Sequence, residues 1–175
     1  MVHDRTMNAF PLRVVLISLA AIVAVRLAAT AGGDPAHVPG DDAVTARLRF
    51  DDARIHAGGT GAATIALTPA PGWHLYGPEH ADAGAPPEVA WSLPRGVHAR
   101  PIAFPPARRV VAHGLTTFEY DKRVLLRIPL TVAADIPPLR RARVVAHVAW
   151  LVCAHVCAPG GATLTGVLDI TPRTR

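Results

Sequence analysis

Cys153 and Cys157 are the only cysteines in the 175-residue chain, and three residues separate them. Two thiols so close admit three kinds of chemistry. They can form a fixed structural bridge, a bridge that opens and closes by exchange with other thiols, or two thiolate ligands for a metal. A bridge here would close a loop of about five residues and stabilise the fold by roughly 2 kcal/mol, near the low end for disulfides. A bridge meant mainly to staple a fold would close a longer loop, so the short one favours redox exchange. His155 lies between the cysteines. Protonated, it would lower a neighbouring thiol's pKa. Neutral, it would be a third ligand beside two sulfurs, a set that suits Cu(I) or Zn(II). As a solvated turn residue it would do neither. Against the metal reading, no methionine follows Met7 and a fourth ligand is not evident.

Other chemistries find no support. HExxH is absent, as are a Ser-His-Asp arrangement and paired helical carboxylates. The Gly58-Gly59-Thr60-Gly61 turn lacks the lysine of a phosphate-binding loop. His113 and His147 have no ligand-like spacing to the cysteines.

The elements around the pair read as strands. Val144, Ala146, Val148, Trp150 and Val152 alternate with other residues at period two, and His147 falls on the face opposite Trp150. This strand runs into Cys153, and Pro159-Gly160-Gly161 precedes a further strand expected at 162–170. The cysteines therefore flank the turn of a hairpin, which brings their Cα atoms to the roughly 5.5 Å a disulfide needs. Val124, Leu126, Ile128 and Leu130 form a second period-two series. Further strands are expected over 43–55, 62–68 and 89–93, with turns at 58–61 and 69–72 and a loop over 77–87. No helix-period stripe of any length is present. Short strands, frequent turn signals and 17 prolines predict an all-β sandwich.

The first 31 residues do not belong to that core. Arg5 and Arg13 precede an apolar run, Val14 to Val25, and Ala29-Thr30-Ala31 follows with small residues at the cleavage positions. This is the pattern of a secretory signal peptide, cleaved near Ala31. The clean run is shorter than the roughly 20 residues of a spanning helix, so no stable membrane insertion is expected after cleavage. Residues 32–42 read as a flexible lead-in to a domain at 43–175. Without the leader the formal charge falls from +5 to +3. The basic residues are scattered arginines, with neither a basic helix nor aromatic interleaving, so nucleic acid is not an expected partner. In an oxidising compartment the cysteine pair is expected as a disulfide.

Trp150 to Gly160, with the cysteine pair inside it, resembles the cysteine hairpin of the N-terminal periplasmic domain of the DsbD thiol:disulfide interchange family. Pro71-Gly72-Trp73-His74-Leu75-Tyr76 is similar to that domain's early motif. Gly84-x-Pro86, Trp91-x-x-Pro94-x-Gly96 and Glu119-Tyr120 follow in the expected order. The resemblance spans 43–170. It implies an immunoglobulin-like β-sandwich in the periplasm that exchanges electrons through Cys153 and Cys157, without a cofactor. It implies that Cys157 forms the mixed disulfide, and that the partners are thioredoxin-like or disulfide isomerase proteins. The family's better-known form has a wider cysteine spacing and a cap loop whose aromatic ring shields the pair. The matching stretch, 111–118, offers His113, Leu115 and Phe118. In that form the chain continues into a membrane domain and a thioredoxin-like domain. Neither is present here, so a separate membrane electron donor is expected.

Overall fold

The computed structural model describes residues 40–173. The leader expected at 1–31 and most of the lead-in lie outside the described residues. Eleven strands follow in order: β1 Val44–Phe50, β2 Arg54–His56, β3 Thr60–Pro69, β4 Leu75–Tyr76, β5 Glu88–Ser92, β6 Val97–Ala99, β7 Arg108–Ala112, β8 Leu115–Tyr120, β9 Val124–Val132, β10 Leu139–Cys153 and β11 Cys157–Thr171. One sheet has the order β1-β3-β9-β6, the second β2-β11-β10-β5, and a small third sheet β4-β8-β7.

The two four-stranded sheets face each other across an apolar core. The buried face of β9 supplies Val124, Leu126, Ile128, Leu130 and Val132, and that of β10 supplies Val144, Ala146, Val148, Trp150 and Val152. Ile65 and Leu67 of β3, Ile55 of β2, and Leu168 and Ile170 of β11 complete it. Each series keeps a period of two because successive side chains leave opposite faces of a strand. A one-residue slip would turn the apolar set to water, so the alternation also sets the register. His147 leaves the other face and meets Thr163 Oγ1 at 3.2 Å. The fold is an immunoglobulin-like β-sandwich.

Two strand expectations change. The segment 43–55 is not one strand. Asp52 Oδ1 accepts the Arg54 N–H at 2.8 Å, a side-chain bond that competes with the ladder and turns the chain. β2 then crosses to the second sheet and pairs in parallel with β11. The last strand starts at Cys157, five residues before the expected 162, because the ladder with β10 continues from Val148↔Ala162 out to Cys153↔Cys157. Pro159 does not interrupt it. Its carbonyl points to the open edge, where it accepts the Gly40 N–H at 2.9 Å. The donor that proline lacks therefore falls on that edge and costs no bond to β10.

The end of the segment read as a lead-in is docked on this hairpin. Trp150 Nε1 donates to Gly40 O at 3.2 Å, and the Gly161 N–H donates to Asp41 Oδ1 at 2.7 Å. A Cβ at position 160 would stand 2.5 Å from Trp150 Nε1 and 2.6 Å from the Gly40 backbone. Glycine there permits the close approach.

Candidate functional site

Cys153 and Cys157 are joined as a disulfide at the tip of the β10–β11 hairpin, with Cα atoms 4.1 Å apart. Ala154 and Val156 close the reversal through a backbone bond of 3.0 Å. The two sulfur-bearing residues differ in access. Cys153 is 2% exposed, whereas Cys157 is exposed, as are Ala154, His155 and Val156. His155 therefore sits on the solvent side of the turn. Among the described residues, no group of three or more His, Cys, Asp or Glu is placed to hold a metal ion.

Alternation along β10 would put Cys153 on the outer face with His147. It is buried because another segment takes over the strand edge at this point. β5 pairs with β10 only from Val145 to Ala149. At Cys153 the edge is met instead by His74, which exchanges both backbone bonds with it, at 2.9 and 3.0 Å. The chain then continues directly into β4.

Strand alternation carries the consequence further. His74 and Tyr76, two residues apart, share one face, and Leu75 is buried on the other. The register of the third sheet sets Tyr76 opposite Glu119 of β8, and Glu119 opposite Arg108 of β7. Thr117 shares that face with Glu119. A polar row results. Tyr76 Oη lies 3.8 Å from Cys157 Sγ, and His74 Nε2 lies 3.3 Å from Tyr76 Oη. The same nitrogen is 3.6 Å from Glu119 Oε1. Glu119 also accepts from Thr117 Oγ1 at 2.6 Å and meets Arg108 at 3.5 Å. The His74 and Tyr76 rings stand edge to face, with centroids 5.2 Å apart. Burial, and then the Glu119 carboxylate, push the Tyr76 phenol above its ordinary pKa. Tyr76 is thus held neutral, as a hydrogen-bonding group, across the physiological range.

Loop 77–87 holds Tyr76 in place. Gly84 lies against its ring with φ +99°, and a Cβ there would stand 2.2 Å from the ring. The loop is tied to the third sheet by Asp82, which exchanges a backbone bond of 2.9 Å and a side-chain bond of 2.7 Å with Thr116. Glu79 Oε1 accepts the Ala107 N–H at 3.1 Å.

Val111 to Phe118 is a β-hairpin whose turn is His113-Gly114, both with positive φ. His113 and Leu115 are exposed at that turn, and Phe118 is half-buried in β8. An aromatic ring does reach Cys157, but it comes from β4. His74, Tyr76 and Glu119 stand in the motifs that carry the family resemblance, and the sequence alone gives none of them a role at the site. The available signal was the period-two pairing of His74 with Tyr76; its aim at Cys157 depends on a contact 81 residues away.

The N-terminal periplasmic domain of ScsB from Proteus mirabilis aligns with a TM-score of 0.56 at 20% identity. The alignment covers 76% of this chain and 51% of that one, so this chain spans about half of that structure's length. The Neisseria meningitidis DsbD n-terminal domain in the reduced form aligns with a TM-score of 0.49 at 12% identity, covering 75% of this chain and 90% of that one. Among curated proteins, no sequence matches. The sequence matches the family "Thiol:disulfide interchange protein DsbD, N-terminal" over residues 43–169. The chain therefore belongs to the family of the N-terminal domain of the thiol:disulfide interchange protein DsbD.

Proposed function

We propose that this protein is exported to the periplasm, loses its leader near Ala31, and exchanges electrons with other thiol proteins through Cys153 and Cys157. The observation that carries this reading is the asymmetry of the pair: one sulfur-bearing residue is exposed at a hairpin tip and the other is buried beneath it. Access governs which sulfur of a disulfide is attacked. A donor thiolate attacks Cys157 Sγ; the Cys153–Cys157 bond breaks and Cys153 leaves as a thiolate. A second donor thiol then displaces Cys157 by attacking the donor's own sulfur, and the dithiol form results. To pass the two electrons on, the Cys157 thiolate attacks a partner disulfide. Cys153 then attacks Cys157 Sγ and frees the reduced partner. The exchange needs no cofactor.

Family membership supports thioredoxin-like proteins, disulfide isomerases among them, as partners. A separate membrane protein would be the electron donor. No helix among the described residues is long and apolar enough to cross a membrane.

Thiol trapping across a series of glutathione redox buffers tests the reading. The expected midpoint lies above the roughly −300 mV that bounds inert structural disulfides. A bridge that stays oxidised across the whole series would overturn it. The assignment of roles has its own check. Cys153→Ser should accumulate a mixed disulfide with a thioredoxin-like partner, and Cys157→Ser should not.

A further inference from the structure

Cys157 is the terminus of a connected line of polar groups drawn from the His74–Tyr76 segment and from β8. We infer that Tyr76 and His74, with Glu119 positioning His74, form a proton relay that serves Cys157 Sγ when the disulfide is open. The inference rests on the exchange reading above and deepens it.

The geometry has the order a relay needs. Tyr76 Oη lies between Cys157 Sγ at 3.8 Å and His74 Nε2 at 3.3 Å. Glu119 lies beyond, 3.6 Å from the same nitrogen. The row is sheltered: the His74 and Glu119 side chains are 21% and 11% exposed. The phenol is the group best suited to the middle position. Its hydroxyl accepts one hydrogen bond while donating another, and it holds its own proton at neutral pH. With His74 neutral and Nε2 unprotonated, Tyr76 Oη donates to Nε2 and accepts from the Cys157 thiol. Both protons then move one place. The products are a Cys157 thiolate, a neutral tyrosine and a His74 imidazolium beside the Glu119 carboxylate. One negative and one positive charge have been made, so the total is unchanged. When Cys157 is released from a mixed disulfide as a thiolate, the reverse shift returns its proton.

The titratable groups facing His74 are Tyr76 on its own segment and Glu119 of β8. Arg108 of β7 bears on it through Glu119, at 3.5 Å. β10 contributes the Cys153 backbone, which fixes His74 by two hydrogen bonds. Thr117 Oγ1 holds the Glu119 carboxylate at 2.6 Å. Tyr76 and His74 thus act on the reacting sulfur, and Glu119 is a positioning residue for His74.

The test uses the secreted Cys153→Ser protein, whose single thiol is freed of mixed disulfides by a reductant that is then removed. The rate of Cys157 alkylation by iodoacetamide is followed from pH 5 to pH 10. Tyr76→Phe and His74→Gln should each slow the reaction about tenfold at pH 7 and move the profile up by about one pH unit. All rates should converge at the alkaline end, where hydroxide removes the proton directly. The double variant should match the slower single one, because the groups act in series. Glu119→Gln should give a smaller shift in the same direction. Superimposable profiles for Tyr76→Phe and its parent would overturn the relay. So would a His74→Gln profile identical to the parent's, which would leave only a tyrosine–sulfur hydrogen bond. If His74→Gln does not fold, Tyr76→Phe decides, since it keeps the ring. A pair that never opens in glutathione would sink the exchange reading instead and leave this profile readable.

Discussion

The core-facing side of β10 and the polar face of the small β4-β8-β7 sheet meet at the same cysteine pair, yet they are built on opposite rules. From Val144 to Val152 every second side chain of β10 is apolar and buried. On the small sheet the equivalent alternation, His74 with Tyr76 and Thr117 with Glu119, collects polar groups and joins them to one another. The first region holds the hairpin; the second surrounds its reactive tip. Changes to the core should therefore alter stability with little effect on thiol reactivity, and changes to the polar face should do the reverse.

The largest stability effect should come from the core. Leu126 is fully buried at the centre of the sandwich. Leu126→Ala should cost about 2–5 kcal/mol, through lost transfer energy and the cavity left behind. Denaturant unfolding measures this. Under native conditions the alkylation profile of Cys157 should not move; if it did, the two regions would be coupled more tightly than their separate rules imply.

Gly84→Ala should be intermediate and should cross the boundary. Its φ of +99° strains any other residue, and its Cβ would strike the Tyr76 ring. A loss of about 1–3 kcal/mol is expected from overpacking and strain. Because the displaced ring carries the hydroxyl beside Cys157, the thiol profile should shift as well. A stability loss with an unmoved profile would separate loop 77–87 from the site.

The smallest effect belongs to Tyr120, where the two regions join. Its ring is buried with Leu75 and Trp150, while its hydroxyl donates to Pro105 O at 2.5 Å. Burial, and then the Glu79 carboxylate, push its phenol up to about 12. The folded state keeps this proton after the unfolded chain has lost it. Its contribution is therefore complete below about pH 10 and is lost as pH rises towards 12. Tyr120→Phe should cost about 1 kcal/mol at neutral pH, the net value of one hydrogen bond. It should also flatten the alkaline fall in melting temperature between pH 10 and pH 12. An equally steep fall in the variant would place the alkaline sensitivity elsewhere.

The same contrast explains what was legible beforehand. The β9 and β10 series, the hairpin and the disulfide could be read because alternation and a short reversal are local patterns. The turn at Asp51 to Ala53 breaks the strand expected over 43–55, and Asp52 is the local signal for it. β6, β7 and β8 leave no clear strand pattern in the sequence. β6 is three residues long, and β7 and β8 mix arginine, threonine and glutamate into a sheet too small to show an apolar face. The resemblance points to 111–118 for a cap, and no local pattern shows that β4 sets Tyr76 Oη 3.8 Å from Cys157 Sγ.

What the sequence determined by itself is a β-sandwich with two cysteines facing each other across the tip of one hairpin, since neighbours along the chain set both features. Which residue of the pair meets solvent, and which groups stand beside it, follow from long-range packing. Cys153 is buried because His74, 79 positions earlier, takes over the strand edge that β5 leaves open. The same pairing carries Tyr76 to Cys157 and, through β8, brings Glu119 to His74. These contacts depend on how distant strands choose their neighbours, which no local period encodes.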